Sequence, residues 1–415
     1  MSFESVFTMD TSSIKYGPGV TREVGEDVKN LGVTRVMVVT DPALVEHTAV
    51  TTTIDALKAA GVDYAVFSET RVEPTDISFR HAIDFATDGG FDGYVAVGGG
   101  SVIDTAKAAN LYATYPADLL TYVNAPIGRA QPIPGRLQPL VAVPTTAGTG
   151  SETTGVSIFD LTTMHAKTGI AHRALRPALG ILDPLNTLTM PAMVTACSAL
   201  DVLSHAIESY TAIPFDSRPA PERPGLRPAY QGANPISDIW SGKAMEMVAA
   251  NLEQVVTYPE DLHARGQMML AAAYAGIGFG NAGVHLPHGM SYPVSGLVRS
   301  FVPEGYPGDH AIVPHGMSVI LNAPAVFRFT AVANPERHLE AARLLGADIS
   351  SAGPDDAGEV LAAQLIDIMR RTGMPNGLSA VGFTEADIDQ LVAGTLPQHR
   401  VTKLSPRPAS EADLA

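Results

Sequence analysis

The 415-residue sequence contains a single cysteine, Cys197. One cysteine excludes a disulfide framework and a zinc site built on several thiolates. Basic residues are scarce: 27 Lys and Arg stand against 43 Asp and Glu, for a net charge of −16. That deficit argues against a general binder of nucleic acid or of anionic membrane, whose phosphates attract a basic surface. A local basic pocket for an anionic ligand remains compatible with it. Long hydrophobic runs are missing too. A long uncharged stretch, Met268 to Val284, is broken by Gly276, Gly278, Gly280, Asn281 and Gly283. A bilayer span needs ~20 mostly apolar residues, so this stretch predicts a tightly packed buried helix. The opening residues, MSFESVFTMDTSSIKYGPG, lack arginine and lack a basic segment followed by an apolar one. No signal or transit peptide is read there, and a cytoplasmic protein is expected.

What is present has a globular balance, 46% apolar against 17% charged, and at ~150 residues per domain the length predicts two or three domains. The first half alternates. Short apolar runs end in turn residues at Arg35–Asp41, Tyr64–Ser68, Tyr94–Gly100, Leu140–Thr146 and Leu179–Asp183. Helical patterns lie between several of them; in Asp76–Gly89, residues Phe79, Ala82, Ile83 and Ala86 fall on one face. Continuous apolar strands between amphipathic helices imply a parallel sheet covered on both sides, hence an α/β dinucleotide-binding domain over residues 1–190. From Pro191 strand-like runs nearly vanish. Pro191–Tyr210, Ile236–Tyr258, Leu262–Gly280, Pro335–Gly346 and Asp356–Thr372 read as helices, so residues 191–415 are expected to form an all-α domain. Proline-rich Ile213–Pro235 and Arg299–Pro314, the latter with Pro303, Pro307 and Pro314, predict ordered loops.

Two segments of the first half have the makings of a cofactor cradle. Val95–Val97 runs into Gly98, Gly99, Gly100 and Ser101 and then into a helix. Glycines, free amides and a helix dipole suit a phosphate, although the same sequence serves a plain βα turn. Val141–Pro144 runs into Thr145, Thr146, Ala147, Gly148 and Thr149, small and hydroxyl-rich residues that can wrap a polar ligand. Both loops follow parallel strands and so belong to one sheet edge. Asp41, ending another strand, could accept both ribose hydroxyls and repel a 2′-phosphate, which favours NAD over NADP; a turn role is the alternative.

In the second half, Asp201 and His205 in ALDVLSHAIESY are four apart and share a helical face. His288 and His315 each open a His-Gly-Met, where the glycine would let the backbone turn. One Asp and three His suit Fe²⁺ or Zn²⁺; a helix hydrogen bond and structural histidines are the bland reading. His285, three residues before His288, is either a proton carrier beside the site or a packing residue.

GGGSVIDTAK, PTTAGTGSE, DPLNTLTMP, DVLSHAIESY, HGMSYPVSG and PHGMSV, in this order, resemble the iron-containing (group III) alcohol dehydrogenases over most of the chain. YGPGVTREVG, RVEPTD, SETTGVSIFD, RPAYQGANPISDIW and GTLPQHRVTKLSPRP resemble the hydroxyacid–oxoacid transhydrogenase branch of that family. The resemblance implies a dehydroquinate synthase-like fold with NAD and a metal in its cleft, and a homo-oligomer. It implies Asp201, His205, His288 and His315 as metal ligands, and Gly98, Gly99, Gly100 and Ser101 around the pyrophosphate. Thr145, Thr146 and Thr149 would line the nucleotide, Asp41 would take the adenosine ribose, Lys167 would lie near the nicotinamide, and Asp104 would order the phosphate loop. It also implies a further short helix beyond Ala415.

Two positions depart from the family pattern. Tyr292 stands where many members have a second histidine, so a relay would have to use its hydroxyl, and Glu73 stands where many have Asn. The implied activity is hydride exchange between 4-hydroxybutyrate and 2-oxoglutarate. The alternatives are an alcohol dehydrogenase that acts on alcohols and aldehydes and releases NADH, and a lyase resembling dehydroquinate synthase. An acidic substrate needs a cation; Arg299, Arg129 and Lys403 are candidates by type alone, with a surface charge as the alternative for each.

Overall fold

The computed structural model describes residues 3–164, 166–306, 308 and 310–415; Pro307, among the loop prolines above, lies outside the described residues. The chain forms two compact units, Thr11–Thr189 on one hand and Met1–Asp10 with Met190–Ala415 on the other.

The first unit contains β1 (Ser13–Tyr16), α1 (Val24–Asn30), β2 (Arg35–Val39), α2 (Thr48–Ala60), β3 (Asp63–Phe67), α3 (Asp76–Gly89), β4 (Gly93–Gly98), α4 (Gly100–Thr114), β5 (Leu140–Pro144), β6 (Val156–Leu161), β7 (Ala166–Ala171) and β8 (Leu179–Leu182). Six strands form one parallel sheet in the order β1-β8-β5-β4-β2-β3. Side chains alternate across a strand, and here both faces are apolar. Val36 and Val38, Val95 and Val97, and Val141 and Val143 face a layer holding Val24 and Val28 of α1 and Val50 and Leu57 of α2. Their neighbours Met37 and Val39, Tyr94 and Ala96, and Leu140 and Ala142 face Ala82 and Ala86 of α3 and Ile103 and Ala106 of α4. That two-sided burial is why these strands read as continuous apolar runs.

The chain leaves β2 for β3 on one side and returns to β4 on the other, so the carboxyl ends of β2 and β4 flank a topological switch point, the customary ligand position of such sheets. Asp183, just past β8, accepts Gly19 N at 2.8 Å, Thr21 N at 3.1 Å and Thr21 Oγ1 at 2.8 Å, pinning the turn after β1. An antiparallel hairpin, β6–β7, was not foreseen in the sequence. Its turn contains none of the Asn-Gly or Gly-Gly signals that announce hairpins.

The second unit is helical: α5 (Ala192–Thr211), α6 (Pro235–Thr257), α7 (Leu262–Ala282), α8 (Leu286–Gly296), α9 (His315–Ile320), α10 (Ala323–Thr330), α11 (Pro335–Leu344), α12 (Ala357–Arg371), α13 (Ile388–Thr395), α14 (His399–Thr402) and α15 (Glu411–Leu414). The N-terminal segment belongs here because side chains capture its backbone: Gln231 Oε1 accepts Thr8 N and Asn281 Oδ1 accepts Asp10 N, both at 2.9 Å. Helix α7 is buried along most of its length, as its small residues predict. A Cβ at Gly278 would stand 2.3 Å from Ser241 Oγ, so glycine lets α7 approach α6 closely. No helix among the described residues is long and apolar enough to cross a membrane.

Candidate metal centre and cofactor cradle

Asp201, His205 and Glu208 follow one another at i, i+4 and i+7 on α5 and share one buried face. His288 comes from the first turn of α8 and His315 is the first residue of α9. The four ligand atoms of Asp201, His205, His288 and His315 all lie within 4.8 Å of one another. Asp201 Oδ1 stands 3.8 Å from His205 Nε2 and 3.7 Å from the Nε2 atoms of His288 and His315. Ligands 2.0–2.2 Å from one ion at tetrahedral angles are ~3.4 Å apart, so a small contraction suffices. Asp201 Oδ1 and His288 Nε2 are buried with no hydrogen-bond partner. Buried polar atoms are rarely left so, and a cation between them satisfies both.

Close packing aims the ligands. A Cβ at Gly316 would lie 2.0 Å from Cys197 O and 2.9 Å from Asp201 Cβ, so only glycine lets α9 rest on α5 with His315 over Asp201. A Cβ at Gly289 would meet Thr402 Cγ2 at 2.8 Å. The glycine after each histidine thus serves close approach, not the backbone turn expected from the sequence, and neither has a positive φ. The His205 ring stacks on Phe279 of α7 with centroids 3.9 Å apart.

Glu208, which the sequence reading passed over, orients the third ligand. Its Oε1 lies 2.6 Å from His288 Nδ1, and its Oε2 accepts His285 N at 2.7 Å. A proton held on Nδ1 leaves Nε2 free to ligate. The signal was the third member of the i, i+4, i+7 series. The charge balance fits a cation. Burial outweighs the neighbouring Asp201 and pulls the His205 imidazole down to about 3. Burial also raises Asp201, but His205 and the other histidines outweigh it and hold the carboxyl well below its usual range. For His288, burial is opposed by Glu208 and Asp201, which push it up to about 10; the space beside these carboxylates favours positive charge.

His285 is fully buried, its Nε2 3.0 Å from Thr211 Oγ1, and burial pulls it down to about 4. Its Nδ1 is buried with no hydrogen-bond partner. Tyr292, one turn past His288, is also buried, and its hydroxyl accepts Arg400 Nη2 at 2.7 Å.

In the α/β unit, Gly98 ends β4, Gly99 is the N-cap of α4 with no side-chain cap, and Gly100 begins the helix. Val102 N already donates to Gly99 O at 3.1 Å, which leaves the Gly100 and Ser101 amides for an anion. The two loops touch: a Cβ at Gly100 would be 2.6 Å from Thr149 Cγ2, and one at Gly99 3.3 Å from Thr146 Cγ2. Thr145 N donates to Gly98 O at 3.1 Å, and Ser101 Oγ accepts Glu73 N at 3.3 Å. Asp104 is half-buried beside the cradle. Its Oδ1 accepts Ser151 Oγ at 2.6 Å and its Oδ2 accepts Ile158 N at 2.9 Å, so it orders the Thr145–Ser151 loop.

Asp41 lies two residues past β2, its Oδ1 accepting Ala43 N at 2.9 Å and Leu44 N at 3.1 Å. Lys167, on β7, is buried and paired with Glu73 at 2.5 Å and Asp160 at 3.0 Å. Its charge is thus matched within its own unit. Glu73 adopts a left-handed φ of 55°, a conformation asparagine tolerates better. Of the expected carboxylate-binding cations, Arg299 pairs with Asp387, and Arg129 and Lys403 are exposed.

A doubly wound sheet with a glycine cradle at its switch point, together with a helical unit bearing one carboxylate and three imidazoles around a common point, defines a dehydrogenase that uses a dinucleotide and a divalent metal. Residues 11–184 match the family model "iron-containing alcohol dehydrogenase", and residues 229–415 match that of the family's C-terminal region. The chain is 56% identical over 411 residues to the mitochondrial hydroxyacid-oxoacid transhydrogenase of Bos taurus, and equally to that of Homo sapiens. Each alignment covers 99% of this chain and 88% of the relative. Its fold is similar to that of 1,3-propanediol oxidoreductase, with a TM-score of 0.86, 29% identity, and coverage of 99% of this chain and 98% of the other.

The chain belongs to the iron-containing alcohol dehydrogenase family, in its hydroxyacid-oxoacid transhydrogenase branch. It is a metal- and NAD-dependent oxidoreductase. One expectation is overturned. The relatives from Bos taurus, Mus musculus and Homo sapiens are mitochondrial proteins, which points away from the cytoplasm. Composition near residue 1 is a poor guide to compartment, because targeting signals are read apart from the fold.

Proposed function

We propose that this protein transfers a hydride from 4-hydroxybutyrate to 2-oxoglutarate, giving succinate semialdehyde and D-2-hydroxyglutarate, with NAD retained through turnover. The observation that carries the proposal is the 56% identity, over 99% of the chain, to a hydroxyacid-oxoacid transhydrogenase. Asp201, His205, His288 and His315 hold the metal, and Glu208 fixes the His288 tautomer. Gly98, Gly99, Gly100 and Ser101 offer backbone and hydroxyl donors to the pyrophosphate. Thr145, Thr146 and Thr149 wall the nucleotide, and Asp41 takes the ribose. When bound, the metal supplies Lewis acidity toward a substrate oxygen, and NAD supplies a reversible hydride acceptor.

The chain's own contribution is orientation in a dry setting. Asp201, His205 and His288 are buried, so competing water is scarce and charge interactions are strong. The family resemblance also supports a homo-oligomer, which light scattering reads directly.

The test is a mixed incubation of 4-hydroxybutyrate deuterated at C4 with 2-oxoglutarate and no added NAD. Deuterium at C2 of 2-hydroxyglutarate is the expected product. Turnover only with stoichiometric free NAD overturns the proposal in favour of an NADH-releasing alcohol dehydrogenase. Carbon–oxygen cleavage without net redox overturns it in favour of a lyase.

A further inference from the structure

Arg400 of α14 points its guanidinium into the helical unit. Nη2 donates to Tyr292 Oη at 2.7 Å, and the guanidinium carbon lies 5.2 Å from the centre of the Tyr230 ring. The Tyr230 side chain also offers the guanidinium a hydrogen-bond acceptor, and Nη1 is buried with no well-formed hydrogen bond of its own. A guanidinium has five donors in a planar fork matched to a carboxylate. Leaving one arm buried and unbonded is costly.

Two short paths tie this guanidinium to the metal ligands. Tyr292 lies four residues after His288 on α8, hence on the same helix face, with Cβ atoms about 5–6 Å apart. On the other side, the Tyr230 ring packs against Phe279 at 6.5 Å, and Phe279 stacks on His205 at 3.9 Å. Arg400 is therefore separated from one metal ligand by Tyr292 alone and from another by Tyr230 and Phe279.

We infer that Arg400, held by Tyr292 and Tyr230, is the cation that receives the remote carboxylate of an acidic substrate whose hydroxyl or carbonyl is addressed at the metal centre. The inference rests on the proposed transhydrogenase reading, and it deepens that reading by giving the acid group a partner. The remote carboxylate of a four- or five-carbon acid lies three C–C bonds of ~1.5 Å from its reacting carbon, and Tyr292, which holds the fork, lies one helical turn from the ligand His288. A carboxylate oxygen accepts from Nη1, the polar atom is satisfied, and charge-assisted bonding selects acids over neutral alcohols. Tyr292 is here a positioning residue. Its hydroxyl accepts from Arg400 and fixes the fork.

The probe is glutarate, a dicarboxylate with no hydroxyl or carbonyl to react, titrated calorimetrically into the metal- and NAD-loaded protein. The wild type is expected to bind it saturably. Arg400→Met weakens binding roughly 30-fold or more, and Arg400→Lys, which keeps charge but loses the fork, by less. Tyr292→Phe gives a smaller loss, with the ratio of kcat/KM for 4-hydroxybutyrate over 1-butanol falling in the same order. Circular dichroism and the melting temperature report whether each variant folds; should Arg400→Met not fold, Arg400→Lys and Tyr292→Phe decide. Absence of glutarate binding by the wild type overturns the inference, as do equal affinities in the folded variants. The functional reading fails on a different result, the lack of deuterium transfer by the wild type, so the two failures are distinguishable.

Discussion

The two units build their sites from opposite materials. In the α/β unit the cradle is mostly backbone: three glycines, the first amides of α4 and a wall of threonines. In the helical unit the centre is all side chain, four ligand atoms and a carboxylate behind one of them. A backbone cradle is sensitive to what is added, because any Cβ takes up room. A ligand cluster is sensitive to what is removed, because each donor is individually needed. The difference teaches where substitutions bite: additions in the first unit, deletions in the second.

Deleting a ligand is the harshest way to press that contrast. His288→Ala should abolish stoichiometric metal and lower kcat/KM on the order of 10³-fold, while co-purified NAD, measured after acid release, persists. A variant that keeps a full metal complement would show that His288 is not a ligand. Glu208→Gln should be milder, because it retains an acceptor for His285 N but loses the charge that orients His288. Metal affinity should fall about 10- to 100-fold, read as the rate of metal loss to a chelator. An unchanged rate would break the link between Glu208 and the ligand. On the other side, Gly100→Ala adds a Cβ 2.6 Å from Thr149 Cγ2. It should weaken NAD binding roughly 5- to 100-fold with metal content intact. Loss of metal as well would mean that the two sites do not fail separately.

The same division governs what could be read from sequence. Four of the five strands that show as apolar runs, β2, β4, β5 and β8, were legible because burial on both faces leaves no polar interruption, and the partly exposed β3 because Tyr64–Phe67 is apolar all the same. β1 was not, because it is largely exposed, and the mostly buried β6–β7 hairpin was not, because Ser157, Asp160, Lys167 and Thr168 break its apolar pattern and its turn is plain. The spacing of Asp201 and His205, with the repeated His-Gly-Met, carried the ligand set. Glu208 sat in plain view one turn further on, but its partners, His285 N and His288 Nδ1, stand 77 and 80 positions away and only tertiary packing brings them to it. Arg400 was unreadable. It stands on a four-residue helix and meets Tyr292 from 108 positions away, and only tertiary packing makes that pair. Gly316 was visible, but its reason was not, because close approach to Cys197 and Asp201 depends on another helix.

Buried carboxylates sharpen the comparison with the smallest expected effect. Asp201 and Glu208 of the helical unit are raised by burial, yet histidines in contact outweigh it and hold both below their ordinary values. Glu152 of the α/β unit is also buried, and there burial wins, pushing it up to about 7. Lys107, whose charge would favour the ionised form, spends its bonds on Ser151 and Val156 O instead. The sign of the linkage follows. In the unfolded chain Glu152 loses its proton near 4.5, but the folded protein keeps it until about 7. Folding therefore retains a proton across that window, and this residue's contribution to stability falls as pH rises through it. Glu152→Gln keeps the shape and removes the titration. Its stability relative to wild type, from denaturant unfolding, should rise between pH 4.5 and 7 by on the order of 1–3 kcal/mol and then level off. A difference that stays flat across the window, or that falls, would mean Glu152 is compensated like Asp201, and the two units would then treat buried charge alike.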